Sequence, residues 1–440
     1  MGKHARILPA LGLALALAGA AAGEESPYLK TALGAARWIR SYGVATLVPG
    51  GRNWPPDPSN PVSADLSLYS GTPGVVLFFL EAWSVTGDGE FLDEARAGAT
   101  GLLASMNGVA ATGLYDGLSG IAFALEEAHK ATGDEKFRRG FLLCLDRIER
   151  AAVRKGPGVE WGSTTDVIGG SAGTGLVLLY AAGELGDRKW LDLASGAGRR
   201  LIELGRPERG GLKWAMDPGF PRLMPNFAHG TAGVAYFLAR LFEETGDREF
   251  LKAAEAGAAY LKAVAKTDGD QCLIFHNEPD GRDLFYLGWC HGPAGTARLF
   301  YQLNKVTKEA EWLDWMKRSA RAVMSSGIPE KETPGFWNNA GICCGLAGVG
   351  EFFLDLFRLT KDRAYLDFSR RLADRLLARA SEDGEGLKWI QAEHRTKPDL
   401  LVAQTGLMQG AAGIGLFLLH QEEQDRGRAR RIVLPDTPFR

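Results

Sequence analysis

HGTAGVAYFLARLFEETGDREF, residues 229–250, carries two signals whose separation decides the fold. The first is a GxxG pair, Gly230 and Gly233, followed by a run that is apolar on nearly every side. The second is an acid three residues ahead of an aromatic, Asp247 and Phe250. It opens a stretch whose Phe250, Leu251, Ala254, Leu261 and Val264 approximate a helical apolar stripe. The GxxG phrase recurs as SGTPGVVLFFL, DGLSGIAFAL, GGSAGTGLVLL, HGPAGTARLF, CGLAGVGEFF and QGAAGIGLFLL. With Gly230, its first glycines are Gly71, Gly117, Gly170, Gly292, Gly345 and Gly410, seven copies in all. Twenty residues after the first six copies stand Phe91, Phe137, Trp190, Phe250, Trp312 and Tyr365. Each follows an acid by three: Asp88, Asp134, Asp187, Asp247, Glu309 and Asp362.

A constant offset beside copy-to-copy spacings of 46 to 65 residues describes a rigid piece alternating with an adjustable one. Helix, tight turn, helix, then a loop satisfies both, the acid serving as N-cap of the second helix. Helices apolar all round must be buried, so amphipathic ones enclose them. Residues 27–44, PYLKTALGAARWIRSYGV, supply the outer helix missing before Gly71. The pattern therefore predicts an all-α chain of seven helical hairpins, fourteen helices in two concentric layers. An open solenoid would leave the inner helices bare and needs polar capping repeats, which favours closure into an α/α toroid. Residues 23–425 then make a single domain, and the tail at 426–440, RGRARRIVLPDTPFR, is expected to be solvated or loosely docked.

At 45% hydrophobic and 24% charged over 440 residues, the composition is that of an ordinary globular protein. A formal charge of −2 argues against broad electrostatic binding to nucleic acid or anionic membrane. Residues 1–22 have a basic start, a short apolar run and small residues at Ala18, Ala20 and Ala22. That is a signal-peptide pattern, too short for a membrane span, and it predicts export to a periplasmic or extracellular location. Five cysteines, three of them clustered, fit a disulfide scaffold poorly.

Closure of the ring makes neighbours of the residues just before each first glycine: Ser70, Asp116, Gly169, His229, His291, Cys344 and Gln409. Cys290 and Cys343 stand one position further back, and Asp166 lies four before Gly170. Cysteines, histidines and carboxylates gathered at the mouth of an apolar barrel point to function rather than stability. Thiolates at this density suit Zn²⁺, one per chain, and three protein ligands with an open fourth position would mark a catalytic site. Plainer readings stand beside this one. Cys290 and Cys343 could be core thiols or a disulfide, and Cys344 could merely neighbour a site whose third ligand is His229 or His291. His229 could be structural and Asp166 a helix cap. Cys144 and Cys272 read as packing residues. Asp116 and Asp166 near the mouth also keep open a glycoside hydrolase on an α/α toroid, which would use paired carboxylates. A non-catalytic zinc- or thiol-binding envelope protein is a third class.

The seven GxxG helices, together with GWCHGPAG (Gly288–Gly295) and CCGLAG (Cys343–Gly348), resemble the lanthionine synthetase C-like family. The likeness covers essentially the whole mature chain. It implies a zinc α/α toroid that adds a thiol to dehydroalanine or dehydrobutyrine, forming lanthionine-type thioethers. It thus implies an enzyme whose partners are a peptide or protein bearing dehydroamino acids, or a small thiol such as glutathione. By position it implies that Cys290 and Cys343 are zinc ligands, with Cys344 third where most members have histidine. It further implies that His229, in NFAHGTAG, and Asp166, in TTDVIGGSAG, are the acid/base residues. Nisin-type cyclases of the family carry arginine four residues before the first zinc cysteine, where this chain has Tyr286, and Arg282 is the nearby candidate stand-in. His291, after Cys290, matches the eukaryotic branch and is expected to line the site with Asp116, Tyr286 and Arg282.

Overall fold

The computed structural model describes residues 25–61, 65–220 and 222–439; the segment 1–22 read as a signal peptide lies outside them. Among the described residues there are fourteen α-helices. They are α1 (Pro27–Ser41), α2 (Thr72–Thr86), α3 (Gly89–Ser105), α4 (Leu118–Thr132), α5 (Glu135–Ala151), α6 (Ser171–Leu185) and α7 (Arg188–Leu204). Then follow α8 (Thr231–Thr245), α9 (Arg248–Val264), α10 (Pro293–Thr307), α11 (Ala310–Met324), α12 (Leu346–Thr360), α13 (Arg363–Arg379) and α14 (Ala411–Asp425). The even-numbered helices begin one residue after the first glycine of each GxxG and are buried almost throughout; the odd-numbered ones cover them. Helix α1 packs on α14, and α14 lies beside α2, so the first and last helices form the seventh pair and close the ring. No helix among the described residues is long and apolar enough to cross a membrane.

The fixed offset of the sequence pattern now has a geometric cause. Each inner helix is 15 residues long. In six hairpins it ends on one residue in the left-handed region, Gly87, Gly133, Gly186, Gly246, Lys308 or Lys361. The acid follows as N-cap, and in five cases its carboxylate accepts the backbone N–H two residues on at 2.9 to 3.0 Å. Glu309 makes no such bond.

Between hairpins the adjustable part is more ordered than expected. Six two-stranded antiparallel ribbons form, of which five have their strands within 44–53, 153–160, 206–213, 266–273 and 381–388, and the sixth within 391–402. Strands of two or three residues are too short to show an alternation in sequence. Behind three ribbons an indole reaches back to the preceding outer helix: Trp161 donates to the Ile148 carbonyl (2.7 Å), Trp214 to Leu201 (2.6 Å) and Trp389 to Leu376 (2.9 Å). These bonds occupy carbonyls in the last turns, which the helix itself leaves free.

The loops that enter the inner helices join in a closed circle of backbone hydrogen bonds. Tyr69 N–H donates to the Tyr115 carbonyl (3.0 Å), Tyr115 to Ile168 (2.9 Å), Val167 to Ala228 (3.2 Å) and Ala228 to Cys290 (2.9 Å). Cys290 donates to Cys343 (3.1 Å), Cys343 to Met408 (2.9 Å) and Met408 back to Tyr69 (2.8 Å). Every donor except Val167 sits two residues before a first glycine. The second glycine of the motif lets each loop lie flat on its helix. A Cβ on Gly233 would fall on the Phe227 carbonyl oxygen, and one on Gly348 on that of Ile342.

The segment after α14 is not solvated, contrary to expectation. Residues 435–439 are all buried inside the ring. The Glu81 carboxylate accepts the backbone N–H groups of Arg431 (3.0 Å) and Ile432 (2.6 Å). Arg430 pairs with Glu351 (2.6 Å) and Asp355 (2.9 Å), and Phe439 stacks on Tyr301 at 4.8 Å. The inner helices carry carboxylates at mid-length that an apolar interior cannot leave unpaired, and the basic segment supplies their partners.

Replacing Gly233 with Ala, which must displace the backbone of its entry loop, will destabilise the protein by at least about 2 kcal/mol. Gly183→Ala, at an exposed helical site with nothing within 4 Å of the new Cβ, will instead stabilise it by about 0.5–1 kcal/mol. Denaturant unfolding of the two variants checks both signs.

Candidate metal centre

The backbone circle places the Cys290 and Cys343 loops side by side, and the chain enters α12 directly after Cys344. Gly288 permits the approach, since a Cβ there would lie 2.8 Å from both the Cys343 carbonyl oxygen and Cys344 Cα. The Cys290 and Cys344 sulfurs are 3.2 Å apart and those of Cys344 and Cys343 3.5 Å. All three lie within 4.8 Å of one another, and all three residues are buried. A tetrahedral zinc site with Zn–S bonds of about 2.3 Å holds its sulfurs about 3.8 Å apart, so this soft-donor triplet fits such an ion. No disulfide joins any of the five cysteines. Burial pushes the Cys290 thiol up, whereas hydrogen bonds from Cys290 and Cys344 pull Cys343 well below the usual range. Cys144 and Cys272 lie elsewhere in the packing, against Met106 and Ser319.

Beside the sulfurs, His229 Nδ1 lies 2.6 Å from Asp166 Oδ2. The other Asp166 oxygen accepts the N–H groups of Gly169 and Gly170, both at 2.9 Å, at the entrance to α6. Asp166 therefore caps a helix and holds a histidine at once, which is why it is only 1% exposed yet fully paired. Burial works against a charged His229; the bond and charge of Asp166 outweigh it, aided by Cys343 and Asp116, and leave His229 above its usual range. Asp116 is pushed up to about 6, by burial first and by the charge of Asp166 second.

His291 takes the opposite course. It is 7% exposed, its Nδ1 has no partner, and burial with His276 and His229 nearby holds it well below its usual range. Two adjoining cavities, of about 230 and 380 Å³, share Tyr69, His229, Cys290, Cys343 and Glu393. Cys344, His291 and Tyr286 line the first and Asp116 the second, as expected from sequence. Arg282 joins neither: its side chain is half exposed and lies 3.4 Å from Glu278.

Sequence reading missed Tyr69 and Glu393, which line both cavities, and three further contributors. The His276 ring lies tilted 4.4 Å from His291 and 4.3 Å from Tyr286, and Trp337 packs 5.2 Å from Tyr286. Arg395, from the loop between strands Gln391–Ala392 and Leu401–Val402, lines the smaller cavity with its Nε buried and unpartnered. It lies near enough to Tyr286 to oppose the upward push of burial on that phenol. None of the three stands next to a GxxG, the only register available in the sequence.

A family model for lanthionine synthetase C-like protein matches residues 62–434. The chain is 22% identical over 321 residues to the glutathione S-transferase LANCL1 of Danio rerio, covering 70% of this chain and 74% of that one. Nisin cyclase superposes with a TM-score of 0.61 at 17% identity, covering 83% of this chain and 89% of its own. The unsaturated glucuronyl hydrolase of Bacillus sp. GL1 superposes at 0.51 and 16% identity, covering 84% of this chain and 99% of its own. At such identities the two solved structures speak for the toroid alone. The family match spans the GxxG helices and all three cysteines, and with it the chain belongs to the lanthionine synthetase C-like family.

Proposed function

We propose that this protein is a zinc-dependent enzyme that adds a thiol to a dehydroalanine or dehydrobutyrine residue and so forms a thioether. The observation that carries the reading is the convergence of three buried sulfurs within 4.8 Å, next to a paired histidine and aspartate. Cys290, Cys343 and Cys344 would hold one Zn²⁺, which when bound supplies a Lewis acid that brings a substrate thiol toward ionisation near neutral pH. Membership of the lanthionine synthetase C-like family and a relative named for glutathione transfer support a peptide or small-thiol substrate.

In the addition the S–H bond breaks and sulfur bonds to the β-carbon. The electrons of the double bond move to the carbonyl as an enolate, and the α-carbon finally takes a proton. With Nδ1 committed to Asp166, His229 has Nε2 to accept the thiol proton and return it to the α-carbon. Asp166 fixes the imidazole orientation and favours its protonated form. Arg395, whose guanidinium lines the smaller cavity, is a cationic donor for the enolate oxygen. A paired-carboxylate hydrolase has less support, because both Asp166 oxygens are already committed, to His229 and to the Gly169 and Gly170 amides. Residues 1–22 are proposed to direct export.

Protein purified under reducing, chelator-free conditions will carry one zinc per chain by elemental analysis, and Cys290→Ser or Cys343→Ser will abolish stoichiometric loading. A folded parent chain unable to take up zinc would sink the reading.

Glutathione addition to a dehydroalanine peptide will fall at least about 100-fold in His229→Asn with zinc retained. The raised pKa of His229 puts the acidic limb of kcat/KM above the ordinary histidine range, since only the neutral ring accepts a proton. Asp166→Asn removes the cause of that shift, so the limb moves to lower pH while the rate drops.

Arg395→Ala will lower kcat/KM by about 10–100-fold with zinc content unchanged, whereas Arg282→Ala will leave both as they are.

A further inference from the structure

The segment after α14 does more than tie up the mid-length carboxylates of the inner helices. It continues inward until Asp436, 0% exposed, meets the underside of the metal centre. Asp436 Oδ2 accepts from Arg298 at 2.8 Å and from the indole N–H of Trp289 at 3.1 Å. Arg298 also donates to the Asp436 carbonyl at 3.0 Å. A carboxylate withdrawn from water is costly unless paired, and anchoring the segment does not need it. Arg430 and the two N–H groups bound to Glu81 already hold the outer portion.

What Asp436 adds is a grip on Trp289, the residue directly before Cys290. The indole is 1% exposed and packs edge-on against Tyr115 at 5.2 Å and Phe227 at 5.7 Å. Tyr115 in turn borders the cavity that Cys290 and Cys343 line. The next amide along the chain, Cys290 N–H, is the one that bonds to the Cys343 carbonyl in the backbone circle.

We infer that Asp436 is a positioning residue for the metal centre: by holding the Trp289 indole, it sets the Cys290 backbone in the register that brings its sulfur to those of Cys343 and Cys344. This rests on the thiolate-site reading above. It gives the buried segment a role that a plain surface tail could not have, because ligand geometry depends on what braces the ligand from behind.

The test uses the full chain in three variants: Asp436→Asn, Trp289→Phe, and Leu372→Ala in outer helix α13 as a control for general loosening. In metal-free protein, alkylation of Cys290 relative to buried Cys144 is followed by mass spectrometry. In loaded protein, zinc affinity is measured by chelator competition and the cobalt-substituted form by its thiolate charge-transfer absorption. Asp436→Asn and Trp289→Phe should raise the Cys290-to-Cys144 labelling ratio at least about fivefold, weaken zinc about 10–100-fold and shift the cobalt bands. Leu372→Ala should change neither the ratio nor the bands. A labelling ratio equal to that of the parent in both site variants would overturn the inference. Should the parent bind no metal, the zinc reading fails, and the labelling ratio alone still decides the role of Asp436.

Discussion

Seven backbone hydrogen bonds, passed from loop to loop around the mouth of the ring, are the constraint on which the rest of the molecule depends. A helical toroid without them would fix its helices by packing, which tolerates sliding of an ångström or more. The circle instead fixes the register of the residue two before each first glycine, and hence of the side chains on either side. Cys290 and Cys344, 54 positions apart in sequence, are thereby brought within 3.2 Å. One link breaks the pattern, because Val167 rather than Ile168 donates to Ala228. The same loop folds Asp166 back onto the Gly169 and Gly170 amides, which leaves its second oxygen to His229. The single irregularity in the circle thus lies where the His229–Asp166 pair is built.

The apolar ring has a charged axis. At the mouth lie sulfurs, imidazoles and carboxylates; midway along the inner helices Glu81, Glu351 and Asp355 meet His420 and Arg430, and Asp436 pairs with Arg298. Burial opposes the charge on His420, yet Glu351 and Glu81 push it up to about 9, and burial likewise fails to keep Glu351 from being held down to about 2. His420 and Glu351 each favour the charge of the other, and the segment after α14 adds Arg430 to the pair. A basic stretch that reads as surface in one dimension is required inside in three.

Repetition made the architecture legible. A fixed distance from Gly230 to Phe250, seen in six copies, contains a 15-residue helix, a left-handed turn residue and a capped start, all of them local features. Residues adjacent to the motif inherited that register, so the cysteines, His229, His291 and Asp116 could be assigned to one mouth. What lay outside it could not be placed. Arg282 stands close to Tyr286 along the chain, but its loop turns it outward to Glu278. Arg395, more than a hundred positions away, is carried to Tyr286 by a ribbon too short to announce itself. The pairing of α1 with α14 and the burial of Asp436 are long-range contacts of the same kind, set by closure and not by any local pattern.

The third sulfur has a consequence for the residue beside it. A zinc ion held by three thiolates would leave one net negative charge in a buried pocket, where an imidazole in place of Cys344 would leave none. Such a charge is costly without compensation, and His291, with its Nδ1 unpartnered and its basicity suppressed by burial, offers none. His229 does, since Asp166 chiefly, then Cys343 and Asp116, favour its protonated form against the effect of burial. On the proposed function, charge compensation and proton transfer would therefore both fall to one imidazole. Transfer of an incoming thiol's proton to His229 would leave the net charge of the pocket unchanged and set an imidazolium beside the added thiolate as its counter-ion. A thiolate-rich site and a carboxylate-held histidine are in this sense one device, and substituting either half alters the protonation of the other.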